Sequence, residues 1–265
     1  MTENLFVHMV RGRLWRRNLN FICGICGAPG SSKSWSSLEI ARTIDRKFTI
    51  DNVCFSPLSL IQLINSGVVR RGSCLVLDEV GVYFGSRDFL SVKNKQISYL
   101  LQTFRNMNLS LLLTSPSFGF LDSSGRKLIH SFLESETINY RERYATFRWF
   151  TIQTNPLTGK QYKKHIRVFN PETNLMERID VLEIPAPPAP LIRQYEKKKR
   201  EFTQALNKQI EEKLLWEESK GKRRMEKLEG TQIKCLACGH VWHTRSKAKY
   251  PHCPSCGSRS TTTNL

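Results

Sequence analysis

The sequence predicts an α/β fold: a parallel sheet flanked by helices, with a β-hairpin, a long C-terminal helix and a small ribbon held by cysteines. Three observations carry this expectation. Between residues 19 and 113, short apolar runs that read as buried strands alternate with helix-like segments, as in a parallel sheet covered on both faces. Alternating aromatic and β-branched residues at 144–153 and 161–169 flank Asn155-Pro156-Leu157-Thr158-Gly159, which marks a hairpin. Further on, Ile192, Tyr195, Phe202, Leu206, Ile210 and Leu214 recur at spacings of three, four or seven, the pattern of one amphipathic helix.

Taken in order, residues 19–26 (LNFICGIC) read as the first strand, followed by a Gly/Pro/Ser turn and a helix from Lys33 to about Arg46. A second apolar run spans Phe48 to Phe55, and Ser56-Pro57 starts a short helix to Asn65. Cys74–Leu77 and Leu109–Leu113 are the third and fourth strands, with helical spacing at 88–106 between them. A further helix is expected at 124–134. Residues 185–190 (PAPPAP) suit neither helix nor central strand and read as a stiff linker. The expected domains are therefore 1–184, then linker and basic helix at 185–230, then the ribbon at 231–265.

Charge points to a polyanionic partner. Forty-one Lys and Arg against 23 Asp and Glu give +18, and at this length that favours nucleic acid over a membrane surface. No apolar run approaches the ~20 residues that a membrane helix needs. Residues 1–10 lack a charged start followed by a long apolar core, so a secretory signal is not expected and a cytoplasmic chain is. In such a reducing compartment, cysteines grouped as CxxC pairs indicate metal ligation rather than disulfides.

The sharpest motif is Gly27-Ala28-Pro29-Gly30-Ser31-Ser32-Lys33-Ser34, a G-x-x-x-x-G-K-[ST] match lying between a strand and a helix. Backbone N–H groups of such a P-loop cradle phosphates at a helix N-terminus. Lys33 would reach the terminal phosphates of ATP, and Ser34 would bind Mg²⁺. Ser32 stands where the pattern wants glycine, at a cost on the order of 1 kcal/mol if φ is positive there. Leu75-Val76-Leu77-Asp78-Glu79 is a buried strand ending in two carboxylates: Asp78 would hold Mg²⁺ through water, and Glu79 would polarise the attacking water. The fourth strand ends in Thr114-Ser115-Pro116, where a hydroxyl, Ser115, is the expected γ-phosphate sensor. Cys23-Gly24-Ile25-Cys26 is a decoy, because an extended strand points residues three apart to opposite faces.

The order of lysine loop, Asp-Glu strand, helix ending Gln102-Thr103-Phe104-Arg105-Asn106, and hydroxyl-terminated strand resembles the additional-strand catalytic-glutamate P-loop ATPases. Within them it is most similar to the FtsK/HerA and Zot-like group of archaeal viruses and mobile elements. The resemblance spans about residues 19–135 and implies that strand four lies between strands one and three. It also implies homo-oligomeric rings on DNA, with an arginine at the neighbour's γ-phosphate: Arg105 first, then Arg126 or Arg87.

Cys235-Leu236-Ala237-Cys238-Gly239 and Cys253-Pro254-Ser255-Cys256-Gly257 are two matching knuckles at a spacing suited to tetrahedral Zn²⁺. So short a segment has little apolar core, and the metal would supply its folding energy. The block 235–259 resembles the zinc ribbons common in archaeal proteins. Lys234, Arg245, Lys247, Lys249 and Arg259 surround it, together with Trp242 and Tyr250, and no Asp or Glu falls between 230 and 265, as suits a nucleic-acid surface. The basic clusters at 197–200 and 220–224 are expected to lie clear of the phosphate loop.

These readings converge on a DNA-associated motor or remodelling ATPase, for instance in viral genome packaging or mobilisation. Two alternatives stay open: an AAA+-like replication initiator or helicase loader, and a zinc-ribbon DNA-binding regulator that binds nucleotide without turnover.

Overall fold

The computed structural model describes residues 2–80, 101, 107–120, 123–170, 173–229, 231–244, 251–259 and 261–262. The chain forms two compact units, residues 1–199 and 200–265.

Unit 1 is a mixed α/β structure around a mostly parallel central sheet. Its elements are α1 (Thr2–Arg11), continued by a π-helical turn at Gly12–Arg16; β1 (Phe21–Cys26), α2 (Lys33–Ile44), β2 (Val53–Cys54) and α3 (Pro57–Asn65); then β3 (Cys74–Leu77), β4 (Ser110–Ser115), β5 (Ser131–Asn139), β6 (Tyr144–Thr154), β7 (Gln161–Asn170), β8 (Leu175–Ile179) and β9 (Val181–Pro185). The long helix α4 (Ala189–Glu229) begins in unit 1 and ends in unit 2. Strand order is β2-β3-β4-β1-β5-β6-β7-β8, with β9 also paired to β6, so β4 lies between β1 and β3.

Strands β1, β3 and β4 are buried along nearly their whole length, which is why each reads as a continuous apolar run. Ile22, Leu60, Leu75, Leu77, Leu111 and Leu113 form part of one apolar cluster. Elsewhere Phe6 packs edge-on against Trp149 and Phe21, at centroid distances of 5.2 and 5.8 Å. Trp149 is fully buried, and its indole N–H donates to Ser131 Oγ at 2.9 Å, so its polar atom is satisfied. Helix α1, absent from the sequence reading, buries Phe6, Val7 and Val10, and the π-helical turn after it buries Leu14.

The structure departs from the sequence reading at 124–134. Only Ser123–Arg126 is helical, a single turn, and Ser131–Asn139 is strand β5. Ser131 and Leu133 point inward while Phe132 and Glu134 are half-exposed, a period of two that the Ser/Glu-rich composition masks. β5 runs parallel to β1 and antiparallel to β6. The hairpin turn is closed by Asn155, whose Oδ1 accepts from Leu157 N at 2.9 Å. The Pro-rich stretch is a short joint between β9 and the start of α4, within unit 1. Of the expected helix at 88–106, Leu101 alone lies among the described residues, where it is helical and buried.

Unit 2 holds the rest of α4 and a three-stranded antiparallel sheet, β11 (Val241–Thr244), β10 (Thr231–Cys235) and β12 (Thr261–Thr262) in that order. Among the described residues, no helix is long and apolar enough to cross a membrane.

His130 links the core to pH. Its Nδ1 accepts from Ile22 N at 3.0 Å, so the ring is neutral at that atom. Burial, with Arg13 nearby, pushes its pKa down to about 4. The unfolded chain protonates near 6.5, so the contribution is complete above that value and is lost as pH falls toward 4. Urea unfolding followed by tryptophan fluorescence should show about 2 kcal/mol of this loss between pH 7 and pH 5, absent in His130→Asn. An equal loss in the variant would exclude His130 as the cause.

Candidate functional site

Parallel pairing brings three strand ends together. The register sets Cys26 beside Ser115 and Leu77 beside Leu113, so residues 27–34, 78–79 and 114–115 emerge at one edge of the sheet, where α/β proteins bind ligands. With the tip of the β5–β6 hairpin and the first turns of α4, residues 29–34, Glu79, Thr114 and Ser115 line a cavity of about 620 Å³. Its walls include Gly30, Lys33, Glu79, Tyr144 and Lys199.

The loop's glycines are there for different reasons. A Cβ on Gly27 would lie 2.6 Å from both Ser135 Cβ and Ser31 Oγ, so close approach excludes a side chain. Gly30 has φ +77°, in the left-handed region. Ser32 also adopts it, at φ +63°, and makes no side-chain capping bond at the start of α2. Ser135 Oγ donates to Ser31 O at 2.9 Å, so β5 braces the loop. Lys33 folds back on the loop, its Nζ donating to Ala28 O at 2.6 Å. Burial holds the Lys33 pKa below the usual lysine value, against the opposing charges of Asp78 and Glu79.

Asp78 is fully buried. Its Oδ1 accepts from Ser34 Oγ at 2.9 Å and Thr114 Oγ1 at 2.5 Å, and its Oδ2 from Tyr195 OH at 2.5 Å. Burial, then the Asp78 charge, raises the Tyr195 pKa far above the usual phenol value, so Tyr195 is the donor. Glu79 sits at φ +53°, a second strained position, where its N–H donates to Thr114 Oγ1 at 2.9 Å. Its Oε1 is 2.5 Å from Lys199 Nζ.

The sequence reading placed the sensor hydroxyl at Ser115, and the structure places Ser115 on the cavity wall. There its Oγ donates to Ser117 O at 2.6 Å, closing its own turn, while neighbouring Thr114 contacts the carboxylate. Arg126 Nη1 donates to Phe118 O at 3.3 Å. Arg105 and Arg87 lie outside the described residues. The cluster at 197–200 is divided: Lys197 and Arg200 are exposed, whereas Lys198 Nζ donates to the carbonyls of Ile50 and Val53 and Lys199 faces the carboxylates. Sequence reasoning missed Thr114, Tyr195 and Lys199 as members of the site.

In unit 2, the Sγ atoms of Cys235, Cys238, Cys253 and Cys256 lie within 4.8 Å of one another. The Cys235–Cys256 and Cys238–Cys253 separations are 3.6 and 3.7 Å. Thiolates about 2.3 Å from a tetrahedral ion stand about 3.8 Å apart, so the set fits a metal of zinc's size. Each knuckle repeats one geometry: Gly239 N donates to Cys235 O and Gly257 N to Cys253 O, both at 2.9 Å. Both glycines have positive φ. Arg259 Nε donates to His252 Nε2 at 2.8 Å, and His252 Nδ1 is 3.1 Å from Gly257 O, so this ring is engaged elsewhere. Arg245, Lys247, Lys249 and Tyr250 lie outside the described residues. Among the described residues this is the one group of three or more His, Cys, Asp or Glu arranged to hold a metal, and Cys23 and Cys26 take no part. Burial raises the Cys23 thiol pKa well above its usual value, and burial with Glu134 pushes Cys26 up to about 11.

No protein-family description matches the chain, and no curated protein does. Among solved structures, the N-terminal domain of zonular occludens toxin from Neisseria meningitidis is similar over 56% of this chain and 95% of that one, at 14% identity and a TM-score of 0.35. So weak a likeness adds nothing to the site, which stands on its own residues.

Left-handed geometry at Ser32 is testable. A β-branched residue is disfavoured at positive φ and glycine is not, so Ser32→Gly should exceed Ser32→Val in stability by about 2 kcal/mol in urea unfolding. Equal stability of the two variants would contradict the φ of +63°.

Proposed function

We propose that the chain is a Mg²⁺-dependent P-loop ATPase that acts on DNA and carries a C-terminal zinc ribbon. The observation that carries the nucleotide reading is the 2.9 Å bond from Ser34 Oγ to Asp78 Oδ1. It joins the loop serine to the strand-end carboxylate, the two groups that share Mg²⁺ in phosphoryl transfer of this type. Ser34 and Asp78 would hold Mg²⁺, which prefers oxygen ligands and, when bound, neutralises phosphate charge. Lys33 would exchange the Ala28 carbonyl for the β- and γ-phosphates, and Glu79 would take the proton of the attacking water. The cavity has the size of a small-ligand site.

DNA as the partner is supported by the net charge of +18 and the acid-free stretch 230–265, with 222–224 and Arg259 as basic candidates beyond the ATPase unit. Ring assembly and a role in viral genome packaging or mobilisation come from the resemblance alone and are part of the proposal. The AAA+-like alternative would favour a helical lid after the sheet, whereas the described residues from 131 to 185 form strands β5 to β9.

The purified chain should hydrolyse ATP with Mg²⁺, and faster with duplex DNA. Lys33→Ala should lose nucleotide binding or turnover, while Glu79→Gln should bind ATP and lose at least about 100-fold in rate. Normal turnover in Lys33→Ala would sink the nucleotide reading, a wild-type rate indifferent to DNA would sink the coupling to DNA, and nucleotide binding without turnover would promote the regulator.

For the ribbon, metal analysis of protein purified without added metal should find one Zn²⁺ per chain, with Cys253→Ser losing it and leaving the ATPase unit folded. Absence of zinc in the wild type would refute the assignment.

A further inference from the structure

Lys199 brings a second ammonium group to the same cavity as Lys33. It lies one helical turn beyond Tyr195 on α4, with Nζ 2.5 Å from Glu79 Oε1 and 3.8 Å from Asp78 Oδ2. Burial disfavours its charge, but the bond to Glu79 and the charge of Asp78 outweigh that and raise its pKa, so it is an ammonium. The backbone beneath it is fixed. Tyr195 is bonded to Asp78, Glu196 Oε1 accepts from Trp35 Nε1 at 3.0 Å, and Lys198 holds the carbonyls of Ile50 and of Val53 in β2. A change in what Lys199 touches is therefore a change of rotamer along its four-carbon stem.

The charges at the site balance as they stand, Lys33, Arg143 and Lys199 against Asp78, Glu79 and Glu196. A nucleoside triphosphate brings more negative charge than one Mg²⁺ cancels, and the added charge competes with Glu79 for Lys199. While Glu79 is paired to Lys199, the ammonium occupies its Oε1, an oxygen that an attacking water would need.

We infer that Lys199 is a catalytic residue that changes partner: it pairs with Glu79 in the nucleotide-free chain and moves to the γ-phosphate oxygens of bound ATP, freeing Glu79. The inference rests on the nucleotide reading above. In the step it serves, the water oxygen bonds to the γ-phosphorus as the bond from that phosphorus to the β,γ-bridging oxygen breaks. ADP leaves with the electron pair, inorganic phosphate forms, and the water proton passes to Glu79. The ammonium stabilises the charge on the transferring group. ADP, lacking the γ-phosphate, leaves the Lys199–Glu79 pair closed.

Two measurements test this. In the Glu79→Gln background, which binds without turnover, Lys199→Ala should cut the preference for ATP over ADP by about tenfold while leaving ADP affinity within about twofold. With Glu79 intact, Lys199→Ala should lower kcat by about 100-fold, and Lys199→Arg should recover part of it. A rise in kcat would mean that Lys199 only restrains Glu79, and an unchanged kcat and ATP:ADP ratio would mean that it does nothing; either overturns the inference. Should Lys199→Ala not fold, Lys199→Gln carries the same two measurements. If the wild type neither binds nor hydrolyses ATP, the nucleotide reading itself falls; if wild type and Lys199 variants hydrolyse alike, only the role of Lys199 does.

Discussion

The site depends on one buried charge. A carboxylate taken out of water costs several kcal/mol unless hydrogen bonds replace its hydration. Asp78, with no exposed surface, receives three hydroxyls from three separate elements: Ser34 from α2, Thr114 from β4 and Tyr195 from α4. Residues 34, 78, 114 and 195 can meet only if β1, β3 and β4 lie in register and α4 closes over them. The carboxylate therefore acts as a geometric check on most of unit 1. Removing any one donor leaves the charge short of a partner in a place water does not reach.

The central sheet was legible because its physics is local. Strands buried on both faces are mostly apolar, so Cys74–Leu77 and the run Leu109–Leu113, which overlaps β4, stand out without reference to anything else. The helix at Pro57–Asn65 was equally plain, since Ser56 caps it and Pro57 opens it. β5 was not, because its inward face carries Ser131 and its half-exposed face Glu134, and its pairing with β1 is made 108 residues from Cys23 in sequence. The loop 27–34 and the pair Asp78-Glu79 could be read from spacing. Tyr195 and Lys199 could not: 117 residues separate Tyr195 from Asp78, and a tyrosine on an apolar helical stripe looks like any other core residue.

Strain gathers on both sides of the same carboxylate. Ser32 and Glu79 both hold left-handed backbones that cost of order 1 kcal/mol or more outside glycine. Neither is isolated. The Ser31 carbonyl beside Ser32 is tied to β5 by Ser135, and Glu79 N–H is tied to Thr114. The strand extension from β5 onward therefore does more than enlarge the sheet: it braces the loop from the side and, through the turn at 140–143, supplies a cavity wall.

The boundary between the units sharpens what the tail can be said to do. Unit 1 ends at Lys199 and unit 2 begins at Arg200, within one helix. The proline-rich stretch at 185–190 reads in the sequence as a stiff linker at a domain boundary, yet Tyr195, Glu196, Lys198 and Lys199 all bond back into the rest of unit 1. A chain shortened at 191 would lose the third donor to Asp78 and the partner of Glu79 together, and its failure would say nothing about the four-cysteine cluster or the basic helix. A division after residue 199 keeps every contact of the carboxylates intact. It is therefore there, and not at the prolines, that the contribution of unit 2 separates from the chemistry of unit 1.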